Sequence, residues 1–172
     1  TEGYLVVWED RRNDSLGDIY GRRLSAGGVL TGSDFVIAAT NAEQDYPDIA
    51  FNSADDLYLV VWRDERNDVY GDIYGQLIAA NGVLSGSNFV ISAYAARPQS
   101  VPDVTYNAQT GEFLVVWHQW QSTDNYDVYA QRLSGRGDLL DNPATQDDES
   151  SPAVAYALST EGSSQTLSLI HI

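Results

Sequence analysis

The hydrophobic positions of this chain fall in short runs, not in long stripes. Tyr4-Leu5-Val6-Val7-Trp8 returns as Tyr58-Leu59-Val60-Val61-Trp62, and again as Phe113-Leu114-Val115-Val116-Trp117. Each run is β-branched and aromatic with no polar interruption, which is the composition of a strand buried on both faces. The tryptophans stand 54 and then 55 residues apart, so the chain reads as successive copies of one unit.

The second copy is complete and predicts four strands. Pro47-Asp48-Ile49-Ala50-Phe51-Asn52 is the first, with Pro at its start where no ladder N–H is needed. Ser53 to Asp56 forms a turn, and Tyr58 to Trp62 is the second strand. A polar loop from Arg63 to Gly71 leads to the third, Asp72 to Ile78. Asn81-Gly82 is a tight-turn signal, and Phe89 to Ser92 is the fourth. Small residues at matching places in the third strands, Gly21, Gly75 and Ala130, suit close stacking of sheets. A unit of this length is too short for an immunoglobulin-like sandwich, which needs about 100 residues. No window carries a 3.6-residue apolar period, so helical solenoids are excluded. Four-stranded meanders that must bury two faces are expected to stack radially, as the blades of a β-propeller do.

Composition narrows the partners. The chain has 172 residues, 25 Asp or Glu against 9 basic residues, and a net charge of −16. All the basic residues are Arg. Nothing here neutralises phosphates, which argues against nucleic acid, and no apolar run is long enough to insert in a membrane. With no Cys, disulfides, thiolate metal sites and a Cys nucleophile are all excluded.

The Pro47…Ile49-Ala50-Phe51-Asn52 strand, the Val-Val-Trp strand and Asp72-Ile73-Tyr74 together resemble the TolB-type, WD-like propeller repeats of bacterial secreted and periplasmic proteins. The same signature recurs from Pro102…Val104-Thr105-Tyr106-Asn107 to Asp127-Val128-Tyr129. The resemblance implies an exported protein, extracellular, at the cell surface or periplasmic.

On this reading residues 1–157 are a partial propeller that does not close. Its units run over about 4–46, 47–101 and 102–151, and a fourth begins at Pro152. Strands number three, four, four and one at most, and Asn142 to Thr145 is a poor fourth strand for the third copy. Residues 158–166 are a truncated repeat or turn. Leu167 to Ile172 matches, in translation, a sequencing-library adapter, which implies a metagenomic reading frame that ran off its fragment. An open array of this kind is expected to self-associate through its uncovered sheet faces.

Meander geometry brings the second-to-third strand loops and the inter-unit connections to one end. Most of the acidic residues lie there. The near copies Asp10-Arg11-Arg12-Asn13-Asp14 and Asp64-Glu65-Arg66-Asn67-Asp68 lead the candidates. Asp10, Asp14, Asp64 and Asp68 are hard oxygen ligands and make a candidate Ca²⁺ set; no other cofactor motif occurs. Against that stands an ion-pair reading of Asp10/Arg12 and Asp64/Arg66, since the spacing is not that of a calcium loop. Asp18, Asp72 and Asp127 precede Ile/Val-Tyr in every copy and are expected to cap turns through local backbone N–H groups. Trp8, Trp62 and Trp117 are packing residues. The third loop, His118-Gln119-Trp120-Gln121-Ser122, breaks the pattern, and His118 and Trp120, with Arg12 and Arg66, are the candidate ligand contacts.

The functional expectation is a binding or display module that is not itself an enzyme and that meets protein or glycan through the acidic loop face. One alternative is part of a polysaccharide-active hydrolase or lyase whose catalytic residues lie elsewhere. The other is a structural repeat array of an adhesin.

Overall fold

A computed structural model describes residues 3–13, 15–95, 97–122 and 125–140, apart from the side chains of Ser122 and Asn125. These residues form ten strands and no helix: β1 (Gly3–Asp10), β2 (Asp18–Ser25), β3 (Leu30–Ala38), β4 (Gln44–Asn52), β5 (Leu57–Asp64), β6 (Asp72–Ala79), β7 (Leu84–Ser92), β8 (Gln99–Asn107), β9 (Glu112–Ser122) and β10 (Asn125–Ser134). They make three antiparallel sheets, β1-β2-β3, β4-β5-β6-β7 and β8-β9-β10, and none closes on itself. We call these the first, middle and third sheets. The expected strands at Asn142 to Thr145 and from Pro152, and the tail from Leu167, lie outside the described residues.

The same register recurs in each sheet. Trp8 pairs with Tyr20, Trp62 with Tyr74 and Trp117 with Tyr129. Each Trp stacks on its Tyr with ring centroids 6.2–6.3 Å apart, a cross-strand aromatic pair that stabilises the sheet.

Strand alternation then builds two cores. One combines Leu5, Ile19 and Ile37 of the first sheet with Val60, Trp62, Tyr74 and Ile78 of the middle sheet. The other combines Leu59, Val61, Ile73 and Leu77 of the middle sheet with Val104, Phe113, Val115, Trp117 and Leu133 of the third. Burial on both faces, expected of every Val-Val-Trp run, therefore holds only for β5, where Leu59, Val60, Val61 and Trp62 are all fully buried. In β1, Tyr4 is 61 % and Val6 46 % exposed, because among the described residues no sheet covers that face.

Two expectations are corrected. The first strand of each unit does not start at its Pro. It starts three residues earlier, at Gln44 and Gln99, and each Pro sits inside the strand at a register shift, Asp45/Asp48 and Ser100/Asp103. A bulge frees the Pro from donating to the ladder, so the strand can continue through it. The small residues in the third strands also act differently. A Cβ on Gly75 would lie 2.9 Å from Ile91 Cδ1 and 3.0 Å from Phe89 Cζ, and one on Gly21 would crowd Ile37 and Phe35. The vacated space is filled from the next strand of the same sheet, not by the neighbouring sheet.

Candidate functional site

The loops after β1 and β5 are built alike. The chain leaves each Trp strand with Asp, Arg and Asn in fixed order. Trp62 Nε1 donates to Asp64 Oδ2 at 2.8 Å, and Trp8 Nε1 donates to Asp10 Oδ2 at 2.9 Å. The Arg two residues on turns back onto the same carboxylate. Arg66 gives its backbone N–H (2.9 Å), Nε (2.9 Å) and Nη2 (2.5 Å) to Asp64, and Arg12 does the same to Asp10. The guanidinium lies over the Tyr of the Trp–Tyr pair, 4.2 Å from the Tyr74 ring centre and 4.8 Å from that of Tyr20. Such a stack adds cation–π attraction to the ion pair. Arg12 and Trp8 together hold the Asp10 carboxyl well below the usual carboxylate range.

This is the ion-pair reading of the two loops. Asp10 and Asp64 are saturated by donors of their own loop. Asp68 Oδ1 accepts from Tyr70 N at 2.8 Å, and Asp14 lies outside the described residues. Among the described residues no group of three or more His, Cys, Asp or Glu converges as a metal would need. Arg12 and Arg66 are locked in these pairs, Arg12 also reaching Asp34 and Arg66 reaching Asn88.

Asp18 and Asp72 each take a side-chain amide at their turns, and Asp72 also takes the backbone N–H of Tyr94, which is not part of its own turn. Asn13 Nδ2 donates to Asp18 Oδ2 (3.1 Å) and to Tyr20 Oη (3.0 Å). Asn67 Nδ2 donates to Asp72 Oδ2 (2.7 Å) and to Tyr74 Oη (2.8 Å). One amide thus ties the start of β2 or β6 to the Trp–Tyr pair. Burial pushes the Asp72 carboxyl up.

The third sheet solves the same problem without charge. Gln119 stands where Asp10 and Asp64 stand, and Gln121 where the two Arg do. Gln121 Nε2 donates to Tyr129 Oη at 2.7 Å. The Gln99 amide, set with its oxygen toward Trp117, takes the indole N–H at 3.2 Å. With no ion pair to turn the chain, His118 to Ser122 is not the loop expected from its siblings but the end of β9, and Tyr126 of β10 faces Trp120 across the ladder.

This lengthened hairpin helps to form a cleft of about 400 Å³ lined by Asp45, Tyr46, Arg63, Pro98, Ser100, Val101, His118 and Tyr126. Two equivalent pairs face it. Asp45 pairs with Arg63 in the middle sheet, and Ser100 with His118 in the third. The two bulges add Tyr46 and Val101, each in the left-handed region at φ 51° and 52°. That conformation is uncommon for any non-Gly residue and strained for a β-branched one. Both side chains, with Tyr126, are turned to solvent, 51 %, 47 % and 61 % exposed.

Beneath this apolar rim lies polar chemistry. Arg63 Nη1 donates to Asp45 Oδ2 at 2.9 Å, and its Nη2 pairs with Glu65. Asp45 is 9 % exposed, and its Oδ1 accepts no hydrogen bond from any described residue. Burial pushes the Asp45 carboxyl up against the opposing pull of Arg63. A buried acceptor without a donor is costly. His118 lies in the cleft wall with its ring 6.4 Å from that of Tyr126. Trp120, half-buried, lies two positions further along β9, paired with Tyr126, and does not line the cleft. Of the described residues named as candidate metal or ligand contacts, only His118 lines the cleft. The repeated Gln-x-x-Pro-Asp spelling at Gln44 and Gln99 marked the bulges, and its two variable positions supply Asp45, Tyr46, Ser100 and Val101.

The expected convergence of loops at one end is present. Arg11 bridges Glu9 and Glu43 from the β3–β4 connection, and Gln44 N donates to Gly17 O at 2.8 Å. Comparison with known proteins returns no matching family model, no matching curated protein and no matching solved structure.

Proposed function

We propose that the chain is a non-catalytic binding module of a secreted or surface bacterial protein, its sheets arranged as propeller blades, and that it takes a glycan or protein partner in the cleft between the two bulges. The propeller reading is supported by the recurring Trp–Tyr register and by two sheet-on-sheet cores built from equivalent faces. The single observation that carries the binding reading is the cleft itself. It joins an exposed Tyr46/Val101/Tyr126 rim to the Asp45–Arg63 ion pair in its wall. Tyrosines supply rigid contact area at low entropic cost, and Asp45 with Arg63 offers an acceptor beside a donor, the pairing that a hydroxyl-rich ligand reads.

The test is a screen of the folded chain against immobilised oligosaccharides and extended peptides, followed by calorimetric titration of the ligands found. Tyr46→Ala and His118→Ala are each expected to weaken binding about tenfold, roughly 1.4 kcal/mol. Silence across both panels, or an affinity that neither substitution moves, overturns the reading.

A further inference from the structure

The turn that follows β10 departs from its siblings in charge. The turns after β2, β6 and β10 share one frame. Gly137 N donates to Ser134 O at 2.9 Å and Ser134 N to Asp138 O at 2.8 Å, and the same two bonds recur at Ser25–Val29 and Ala79–Val83. Gly28, Gly82 and Gly137 each close the turn in the left-handed region, at φ 75°, 88° and 85°. This is a three-residue loop ending in a left-handed Gly. Around that Gly the first sheet has Gly27 and Val29, and the middle sheet Asn81 and Val83. The third has Arg136 and Asp138, so its apex reads Arg-Gly-Asp.

Opposite charges two residues apart close on each other in the Asp10/Arg12 and Asp64/Arg66 loops. Arg136 and Asp138 take different partners instead. Asp138 Oδ2 accepts Ser134 Oγ at 3.0 Å, within its own turn. Arg136 Nη2 reaches away to Asp55 Oδ1 of the β4–β5 turn at 3.4 Å. That contact is long, and the Arg136 side chain is 78 % exposed, so the bond holds the guanidinium only weakly. Asp138 is exposed as well. The backbone between them is clamped to the middle sheet. Asn52, fully buried, donates its amide to Gly135 O at 3.0 Å, and Gly137 lies against Leu77 and Phe89. A rigidly seated turn loses little freedom when a partner takes it.

We infer that this turn is an adhesion epitope for a cell-surface receptor that reads Arg-Gly-Asp. The Asp138 carboxylate completes the oxygen shell of a divalent cation held by the receptor, and the Arg136 guanidinium enters an acidic pocket beside it. The turn lies at the far end of the β9–β10 hairpin from His118 and Tyr126, so it and the cleft act independently.

The test passes a panel of Arg-Gly-Asp-binding integrin ectodomains, in Mn²⁺ buffer, over the immobilised 172-residue chain. Saturable binding is expected, lost in EDTA and displaced by a linear Arg-Gly-Asp peptide. Asp138→Glu keeps the charge but moves the carboxylate by one methylene, and it and Arg136→Ala should each weaken binding at least about tenfold. Tyr46→Ala and His118→Ala should leave it unchanged. Val29 and Val83 at the equivalent position show that the turn forms without a carboxylate there, and thermal melts check that each variant folds. No binding by any ectodomain, binding that survives EDTA, or an Asp138→Glu variant that binds like wild type overturns the inference.

Discussion

Trp62 donates its indole N–H to Asp64 at 2.8 Å, and both residues are completely buried. The bond ties a sheet-core aromatic to a loop ion pair, since Arg66 closes on the same carboxylate. Removing one partner leaves the others desolvated and unpaired. Asp64→Gln alone is expected to cost about 3 kcal/mol in urea unfolding, as breaking a buried pair from one side does. The third sheet shows a neutral solution at the same positions, Gln119 and Gln121. Asp64→Gln with Arg66→Gln should therefore cost less than Asp64→Gln alone. A double variant at least as unstable as the sum of the two singles contradicts the ion-pair account.

Val101 holds a β-branched side chain at φ 52° in front of Pro102. A left-handed L-residue costs roughly 1–2 kcal/mol; Gly removes that strain, and its greater unfolded-state freedom offsets part of the gain. Val101→Gly should leave the chain as stable or up to about 1 kcal/mol more stable, measured by denaturant midpoint. Under the binding reading it also removes part of the cleft rim and so weakens the ligand. A loss of more than about 1 kcal/mol would mean that the bulge is not strained.

Between the middle and third sheets the carboxyl of Asp48 meets that of Asp103, and Asp48 Oδ2 accepts Val104 N at 2.7 Å. Burial first, and then Asp103, push the Asp48 carboxyl up from 3.8 to about 6. The folded chain holds this proton at pH values where the unfolded chain has released it. Stability from this group is thus full at low pH and is lost as the pH rises from about 4 to about 6. Asp48→Asn should raise stability at pH 8, by about 1–2 kcal/mol once solvent screening is allowed for, and add nothing at pH 4. Asp10 and Asp34, held low by Arg12, act in the opposite direction at lower pH. An Asp48→Asn gain that is the same at both pH values contradicts the assignment.

The strands and their pairing were legible because the Val-Val-Trp runs and the Asp-Ile-Tyr strands repeat at one spacing, and repetition fixes register. The Asp10/Arg12 and Asp64/Arg66 pairs were legible because opposite charges two residues apart in a tight loop lie within reach of each other. The cleft was not. Its walls come from Asp45, Arg63, Ser100 and His118, which are far apart in sequence and meet only through the packing of two sheets. The bulges hid behind Pro47 and Pro102, which read as strand starts because Pro ordinarily interrupts a ladder. The His118 to Ser122 segment read as a loop because its siblings are loops, yet losing the charged pair let the hairpin extend.

The three sheets stack through opposite faces of the middle one. Methyl–methyl and methyl–aromatic NOEs of the isotope-labelled chain test this most directly. Val60 is expected to contact Leu5 and Ile37, and Val61 to contact Val104 and Val115. Val60 contacts to Val104 or Val115, or no contact between sheets at all, would contradict the stacking from which the cleft follows.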